Sequence, residues 1–360
     1  MDIAELLLFA HKQGASDTHL SAGEPPRIRV HGEMTPVKVP PMDKKEIHAM
    51  IYDILNDRQR KIFEETHDID FSMELGDVAR FRVNVFMQHR GEAAVFRTIP
   101  SEVISFDKLG LPNSIRNFAK LEKGIVLVTG PTGSGKSTTL AAIIDLINQE
   151  RHGHILTIED PIEFVHSSKN CLVNQREVGA DTGSFSRALR AALREDPDVI
   201  VIGDLRDNET VSLALTAAET GHIVLGTLNA TSATKAVDRL ISSFPVQEQP
   251  QTRAALSESL KFVISQRLLP AGEGGRQVGC FEILKGTLSV ANLIRDEKTF
   301  QIPSAMQIGR SQGMQTFDDA LKDLLRREVI TAESAYVYAE HKDEFESLVP
   351  ASFLESRTVL

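Results

Sequence analysis

The chain has 360 residues, enough for about two domains of ordinary size and a sizeable core. Forty Lys and Arg against fifty Asp and Glu leave a formal net charge of −10, which argues against nucleic acid or an anionic lipid surface as the main partner. The 41% apolar and 25% charged content excludes wholesale disorder. The two cysteines, Cys171 and Cys280, stand in no CxxC spacing, which excludes a cysteine-based zinc site and fits a reducing cytosol.

At the N-terminus, Ile3, Leu6, Leu7 and Ala10 share one helical face, and Asp2 and Glu5 stand where a signal peptide needs basic residues. This reads as an amphipathic helix, not a targeting segment. No apolar stretch approaches the ~20 residues of a membrane span, so a cytoplasmic chain that meets membranes only through partners is expected. From Ile28 to Val39 the chain is extended, with Gly32 turning it. Helices follow from about Lys44 to Leu55 and from about Asp57 to Thr66. Asp70–Leu75, Ala79–Phe86 and Glu92–Ile99 then alternate at period two, with Gly76-Asp77 and Arg90-Gly91 as turns. Residues 1–99 therefore read as an antiparallel sheet with a few helices, and 100–113, with Pro100, Gly110 and Pro112, as a linker.

Residues 114–360 carry a different punctuation. The short apolar runs Ile125–Thr129, His154–Ile158, Val199–Ile202 and Ile223–Leu225 alternate with helical patterns, as parallel strands buried on both faces do in an α/β sheet. Residues 314–345 form two or more helices, followed by a loose tail after Pro350.

Between the first of these runs and a helical stretch lies Gly130-Pro131-Thr132-Gly133-Ser134-Gly135-Lys136-Ser137, which matches GxxxxGK[ST]. Glycines let backbone N–H groups curl around a phosphate, and the following helix N-terminus adds positive potential. In such loops Lys136 serves the β- and γ-phosphates and Ser137 serves Mg²⁺.

Hydrolysis also needs a carboxylate near the γ-phosphate, and two strand ends supply acids: Glu159-Asp160-Pro161-Ile162-Glu163 and Asp204-Leu205-Arg206-Asp207. Ligands of open α/β sheets lie beyond the carboxyl ends of the strands, where these clusters fall. Arg190 and Arg194 are four apart on one predicted helix face, and Arg82 and Arg97 lie in two strands of the first domain. Their planar forks suit phosphate, although on sequence alone surface charge explains them as well. Thr227 and Asn229 end another strand, where they would either sense the γ-phosphate or cap the next helix.

Together these residues resemble the type IV pilus retraction ATPases (PilT type) of the secretion-ATPase superfamily, over nearly the whole chain. The resemblance is carried by Ala15-Ser-Asp-Thr-His-Leu, Arg80-Phe-Arg-Val-Asn-Val-Phe, the Gly130–Ser137 loop (Walker A), Glu159-Asp-Pro-Ile-Glu-Phe-Val-His (aspartate box) and Gly203-Asp-Leu-Arg-Asp (Walker B). Gly221-His-Ile-Val-Leu-Gly-Thr-Leu-Asn (histidine box), Asn292-Leu-Ile-Arg-Asp and Gln301-Ile-Pro-Ser-Ala-Met-Gln continue it.

It implies a RecA-like P-loop ATPase domain preceded by a smaller α+β PAS-like domain, a homohexamer, and ATP with Mg²⁺ bound between the domains. Matching positions for nucleotide-reaching arginines are Arg82, Arg97, Arg190, Arg194 and Arg239. Thr138 and Glu159 would help Ser137 with the metal, and Asp204, with Glu163 second, would orient the water. An inner-membrane pilus platform protein and a paralogous pilus ATPase are the implied partners.

Three positions depart from the family pattern: Asp204 replaces a glutamate, Asn229 a histidine and Ala291 an arginine. Aspartate is one methylene shorter, and a misplacement near 1 Å costs on the order of a hundredfold in rate. Slow chemistry, or a nucleotide-binding subunit regulating an active paralogue, is therefore an alternative to the retraction motor. The lack of a recognisable additional N-terminal domain weighs against pilus extension or type II secretion. A small-molecule kinase would leave the first domain unexplained.

Overall fold

A computed structural model describes residues 2–76, 78–99, 103–272 and 276–357. Asp77 of the expected turn, residues 100–102 of the expected linker and the last three residues of the tail lie outside the described residues. The chain divides into two compact units: Met1–Glu102 with Pro161–Val165, and Val103–Asp160 with His166–Leu360.

In the first unit, α1 (Ile3–Lys12) starts at a capping box in which the Asp2 carboxylate accepts the Glu5 N–H at 2.7 Å. It buries Ile3, Leu6, Leu7 and Ala10, the stripe read from the sequence. Then follow β1 (Asp17–Ser21), β2 (Arg27–Val30), β3 (Glu33–Pro36), α2 (Lys44–Ile54), α3 (Asp57–Thr66), β4 (Asp68–Leu75), β5 (Ala79–Gln88) and β6 (Gly91–Ile99). The six strands pair antiparallel in the order β3-β2-β1-β6-β5-β4. Strand β1 escaped the sequence reading because Asp17-Thr-His-Leu-Ser carries one large apolar residue. It gains its place by pairing with both β2 and β6. The helices cover one face, where Leu6, Leu7, Ile47, Ile51 and Phe63 pack on Phe81, Val83 and Phe96.

Residues 103–113 are not a free linker: Phe106 and Leu111 are buried in the second unit's core, which fixes this stretch to that unit. After a 3-10 segment, Asn113–Lys120, come β7 (Gly124–Thr129), α4 (Lys136–Glu150), β8 (His154–Glu159), β9 (Leu172–Glu177), α5 (Phe185–Ala192) and β10 (Val199–Ile202). Next are α6 (Asn208–Glu219), β11 (Ile223–Leu228), α7 (Ala233–Ser242), α8 (Gln249–Ser259), β12 (Leu260–Ala271) and β13 (Arg276–Lys285). The chain ends with α9 (Leu288–Arg295), α10 (Ile302–Ile308), α11 (Phe317–Arg326), α12 (Ala332–Tyr338), α13 (Asp343–Glu346) and α14 (Ala351–Arg357).

The sheet order is β13-β12-β7-β11-β10-β8-β9, parallel except for β13. Alternate strand residues feed two cores. Val126, Val128, Val199 and Val201 pack with α4, whereas Leu127, Ile158, Ile200 and Ile202 pack with α5, α6 and α7. That double burial is why these strands read as continuous apolar runs. Although β7 and β8 follow one another in sequence, β11 and β10 lie between them, so the carboxyl ends of β7, β11, β10 and β8 form one contiguous rim.

Candidate active site

Gly130–Gly135 is the entire connection between β7 and α4. Gly135, the residue before α4, has φ 84°, a left-handed conformation that other residues adopt at a cost. Among the described residues no side chain caps this helix, and the N–H groups of a first helical turn point out of its start, where an anion would bind. Lys136 folds back over the loop, its Nζ donating to the carbonyls of Gly130 and Pro131 at 3.0 Å each. Pro131, Thr132 and Gly133 form the exposed outer side of the loop. Ser134 is buried beneath it. The Ser134 carbonyl accepts from Gln266 Nε2 at 2.5 Å, and its hydroxyl has no hydrogen-bond partner.

The two acidic strand ends are neighbours. Ile202 of β10 lies opposite Ile158 of β8, and the Gly203 N–H donates to the Ile158 carbonyl at 2.8 Å. A methyl group on Gly203 would sit 3.2 Å from Glu159 Cα, a tight fit that a larger residue could take only if β8 shifted by a few tenths of an ångström. Glu159 Oε1 accepts from Thr157 Oγ1 at 2.7 Å and from Gln175 Nε2 at 3.0 Å. Gln175 also accepts the His166 N–H at 2.7 Å, so it ties the end of the aspartate box back to Glu159. Burial pushes the His166 imidazole down to about 4, which keeps it neutral at neutral pH.

Asp204 Oδ2 accepts from Arg206 Nε at 2.6 Å, and Arg206 Nη1 lies 3.7 Å from Asp160 Oδ2. The hydrogen bond to Asp204 raises the Arg206 pKa above its ordinary value. Glu163 is exposed and groups with the first unit through Pro161–Val165, whereas Glu159 and Asp204 belong to the second.

Neither Thr227 nor Asn229 caps the next helix. Buried Thr227 donates its hydroxyl to the Gly203 carbonyl at 2.6 Å, bracing the residue before Asp204. The Asn229 carbonyl accepts from Arg239 Nη1 at 2.6 Å, and Ser232 is the residue that caps α7. Arg190 pairs with Glu209. Arg194 does not share a helix face with it: α5 ends at Ala192, and Arg194 lies exposed in the turn beyond. Beyond it, Asp196, the residue before Pro197, takes φ 55°.

In the first unit, Arg82 and Arg97 stand directly opposite each other in β5 and β6, both on the face away from the helices. Asp17 accepts from Arg97 Nε at 2.9 Å, and Asp70 lies 3.7 Å from Arg82 Nε. Sequence reasoning missed Arg206, Gln175 and Gln266. Arg206 was legible two residues after Asp204. The two glutamines come from distant strands and leave no local signal.

Among the described residues, no group of three or more His, Cys, Asp or Glu gathers as a metal cluster, and no helix is long and apolar enough to cross a membrane. Residues 2–280 match the family described as Type II/IV secretion system protein. The type IV pilus retractation ATPase PilT of Pseudomonas aeruginosa is 57% identical over 345 residues, covering 96% of this chain and 100% of its own length. A twitching motility protein of Neisseria gonorrhoeae is 53% identical, over 88% of this chain and 85% of its own length. The crystal structure of the pilus retraction motor PilT with bound ADP superposes with a TM-score of 0.90 at 45% identity, covering 96% of this chain and 99% of that one. The second unit is thus a RecA-like P-loop ATPase fold, and the chain belongs to the PilT family of the type II/IV secretion system proteins.

Proposed function

We propose that this chain hydrolyses ATP and is the motor of type IV pilus retraction, working as a ring of six copies on the cytoplasmic side of the pilus machinery. The observation that carries the reading is the uncapped start of α4 behind Gly130–Gly135, with Lys136 folded over the loop, on the rim where β8 and β10 end in acids. Similarity to pilus retraction ATPases over nearly the whole chain supplies the biological setting.

The residues suit a nucleotide and its magnesium ion. The Ser134 hydroxyl, buried and without a partner among the described residues, suits a loop built around a polar guest, and the N–H groups of a first helical turn complement phosphate. Magnesium in such sites takes one or two protein ligands beside phosphate oxygens, which fits Ser137 and Glu159, helped by Thr138. The ion would neutralise phosphate charge. Lys136 and the loop amides hold the phosphates, and Arg82, Arg97, Arg190, Arg194 and Arg239 are the candidate donors for charge that builds up in transfer. Asp204 accepts the proton of the water whose oxygen attacks the γ-phosphorus, and ADP leaves with the electron pair of the broken bond. The mechanical output would go to the inner-membrane platform protein of the pilus, with a paralogous pilus ATPase as a further partner.

One observation favours a second reading, a nucleotide-binding subunit that regulates an active paralogue: the shortened acid, Asp204, is bound to Arg206 at 2.6 Å. Steady-state hydrolysis by the wild type and by Lys136→Ala separates the two. The motor reading expects clear wild-type turnover that Lys136→Ala abolishes, and a light-scattering mass with Mg-ATP near six times 39.7 kDa. Wild-type turnover retained by Lys136→Ala overturns the site. A wild type that binds ATP and hydrolyses none favours the regulator.

A further inference from the structure

The aspartate box leaves one strand and returns beside it. The chain exits β8 at Glu159, passes through residues 160–165, and comes back through the buried His166 before β9 begins at Leu172. Strands β8 and β9 pair in parallel, with Thr157 opposite Gln175 and Glu159 opposite Glu177. Thr157 and Glu159 are two apart in β8, so they share a sheet face with Gln175. Their side chains meet there. Thr157 Oγ1 donates to Glu159 Oε1 at 2.7 Å, and Gln175 Nε2 donates to the same oxygen at 3.0 Å. Gln175 Oε1 accepts the His166 N–H at 2.7 Å.

The chemistry of these groups fixes the direction of each bond. A backbone N–H only donates, so the Gln175 oxygen faces His166 and its amide N–H₂ is left for the carboxylate. One planar amide thus bridges the last residue of β8 and the residue at which the box returns. Neither an ionised glutamate nor a leucine at 175 could do both, since the first has no donor and the second no polar side-chain atom. Directed donors matter here because the residue opposite Glu159 is a second acid, the buried Glu177, and like charges repel. The Gly203 N–H bond to the Ile158 carbonyl sets the main chain of β8 against the strand that leads to Asp204, but it does not aim the side chain of Glu159.

We propose that Gln175, assisted by Thr157, is a positioning residue of the nucleotide site, which holds the Glu159 carboxylate in place to take magnesium and closes the base of the 160–165 loop. This rests on the reading of Glu159 as a magnesium ligand given above. Groups that hold a metal ligand from behind are worth about 10–100-fold in metal affinity. The test compares two variants of the full chain. Thr157→Val keeps the shape and removes one bond to Glu159, whereas Gln175→Met removes the other bond to Glu159 and the one to His166. Three quantities are read: the half-saturating magnesium concentration from the fluorescence of bound N-methylanthraniloyl-ADP, the affinity for that analogue without magnesium, and hydrogen–deuterium exchange at the His166 amide of the nucleotide-free chain by mass spectrometry.

Both variants are expected to raise the half-saturating magnesium concentration about tenfold and to leave the magnesium-free affinity unchanged. Only Gln175→Met should speed exchange at His166. Thr157→Ser, which restores the hydroxyl, should return to near wild-type values. If Gln175→Met does not fold, Gln175→Asn, whose shorter amide withdraws from both partners, takes its part. An unchanged half-saturating magnesium concentration in both variants overturns the proposal and leaves the ATPase reading standing, as does exchange at His166 that the loss of the Gln175 amide does not alter. A magnesium-free affinity that falls as far as the magnesium response shows a general collapse of the site and also overturns it. A wild type that binds the analogue with no response to magnesium overturns the metal role of Glu159 and this proposal with it.

Discussion

Arg206 Nε donates to Asp204 Oδ2 at 2.6 Å, so the acid at the end of β10 is held by a cation two residues along its own chain. Asp160, at the end of β8, lies within 3.7 Å of the same guanidinium. Arg206 therefore draws the acidic ends of two adjacent strands toward one positive charge. Such a bond aims the Asp204 carboxylate and also competes for the lone pair that a general base must offer.

If Asp204 is the working base, Asp204→Asn abolishes turnover, because an amide takes no proton from water. Asp204→Glu extends the carboxylate by one carbon and should raise kcat about ten- to a hundredfold, the scale set by a misplacement near 1 Å. The measurement is kcat for the three proteins in one buffer with ATP affinity in parallel. Substantial turnover in Asp204→Asn passes the role to Glu163.

Thr227→Val removes the hydroxyl that donates to the Gly203 carbonyl and leaves a part-buried acceptor unpaired. The expected stability loss is about 1–3 kcal/mol, with kcat falling because Gly203 leads directly into Asp204. Urea unfolding and ATP hydrolysis on the same preparation check both. Unchanged values in both assays would mean that the carbonyl finds another donor.

Asp17 and Arg97 are unequal partners: the Asp17 side chain is 9% exposed and that of Arg97 68%. Burial pushes the Asp17 carboxyl up, but hydrogen bonds from Arg97 and Ser16 outweigh it and hold the group below its ordinary value. Its contribution is therefore full above the ordinary carboxylate pKa and is lost as pH falls through the lowered value. Arg97→Ala, which strands the buried acid, should cost about 1–3 kcal/mol at neutral pH. Asp17→Asn, which keeps an acceptor, should cost less. Chemical denaturation at pH 7 ranks the two, and the reverse ranking contradicts the account.

His166 is held neutral by burial, with its pKa down to about 4 from 6.5. The unfolded chain binds the proton first on acidification, so the folded state loses stability as pH falls from 6.5 towards 4. His166→Phe removes this term. Melting temperatures of the two proteins should respond differently to acidification across that window, the wild type falling more. Parallel curves would show that the imidazole is not buried in solution.

The elements that the sequence made legible are those written in local periodicity. The Ile3-Leu6-Leu7-Ala10 stripe became the buried face of α1, and the four apolar runs became β7, β8, β10 and β11. The Gly130–Ser137 motif became a strand–loop–helix turn, because each glycine and the lysine act within eight residues of one another. Strands β9, β12 and β13 went unread, although β12 turned out to be the neighbour of β7 that grips the phosphate loop.

Local sequence alone determined that this protein has a phosphate loop, acids at two strand ends and an α/β second domain behind an antiparallel first one. Tertiary structure decided which of these residues meet. Period-two alternation tells which face a side chain takes but not which strand lies beside it, and strand order is set by long-range pairing. Hence Arg82 opposite Arg97, Gly203 against Glu159, and Thr129 bonded to Ser265, 136 residues away, were absent from any window of the sequence. The close packing of a sheet buried on both faces is what turns those separations into hydrogen bonds.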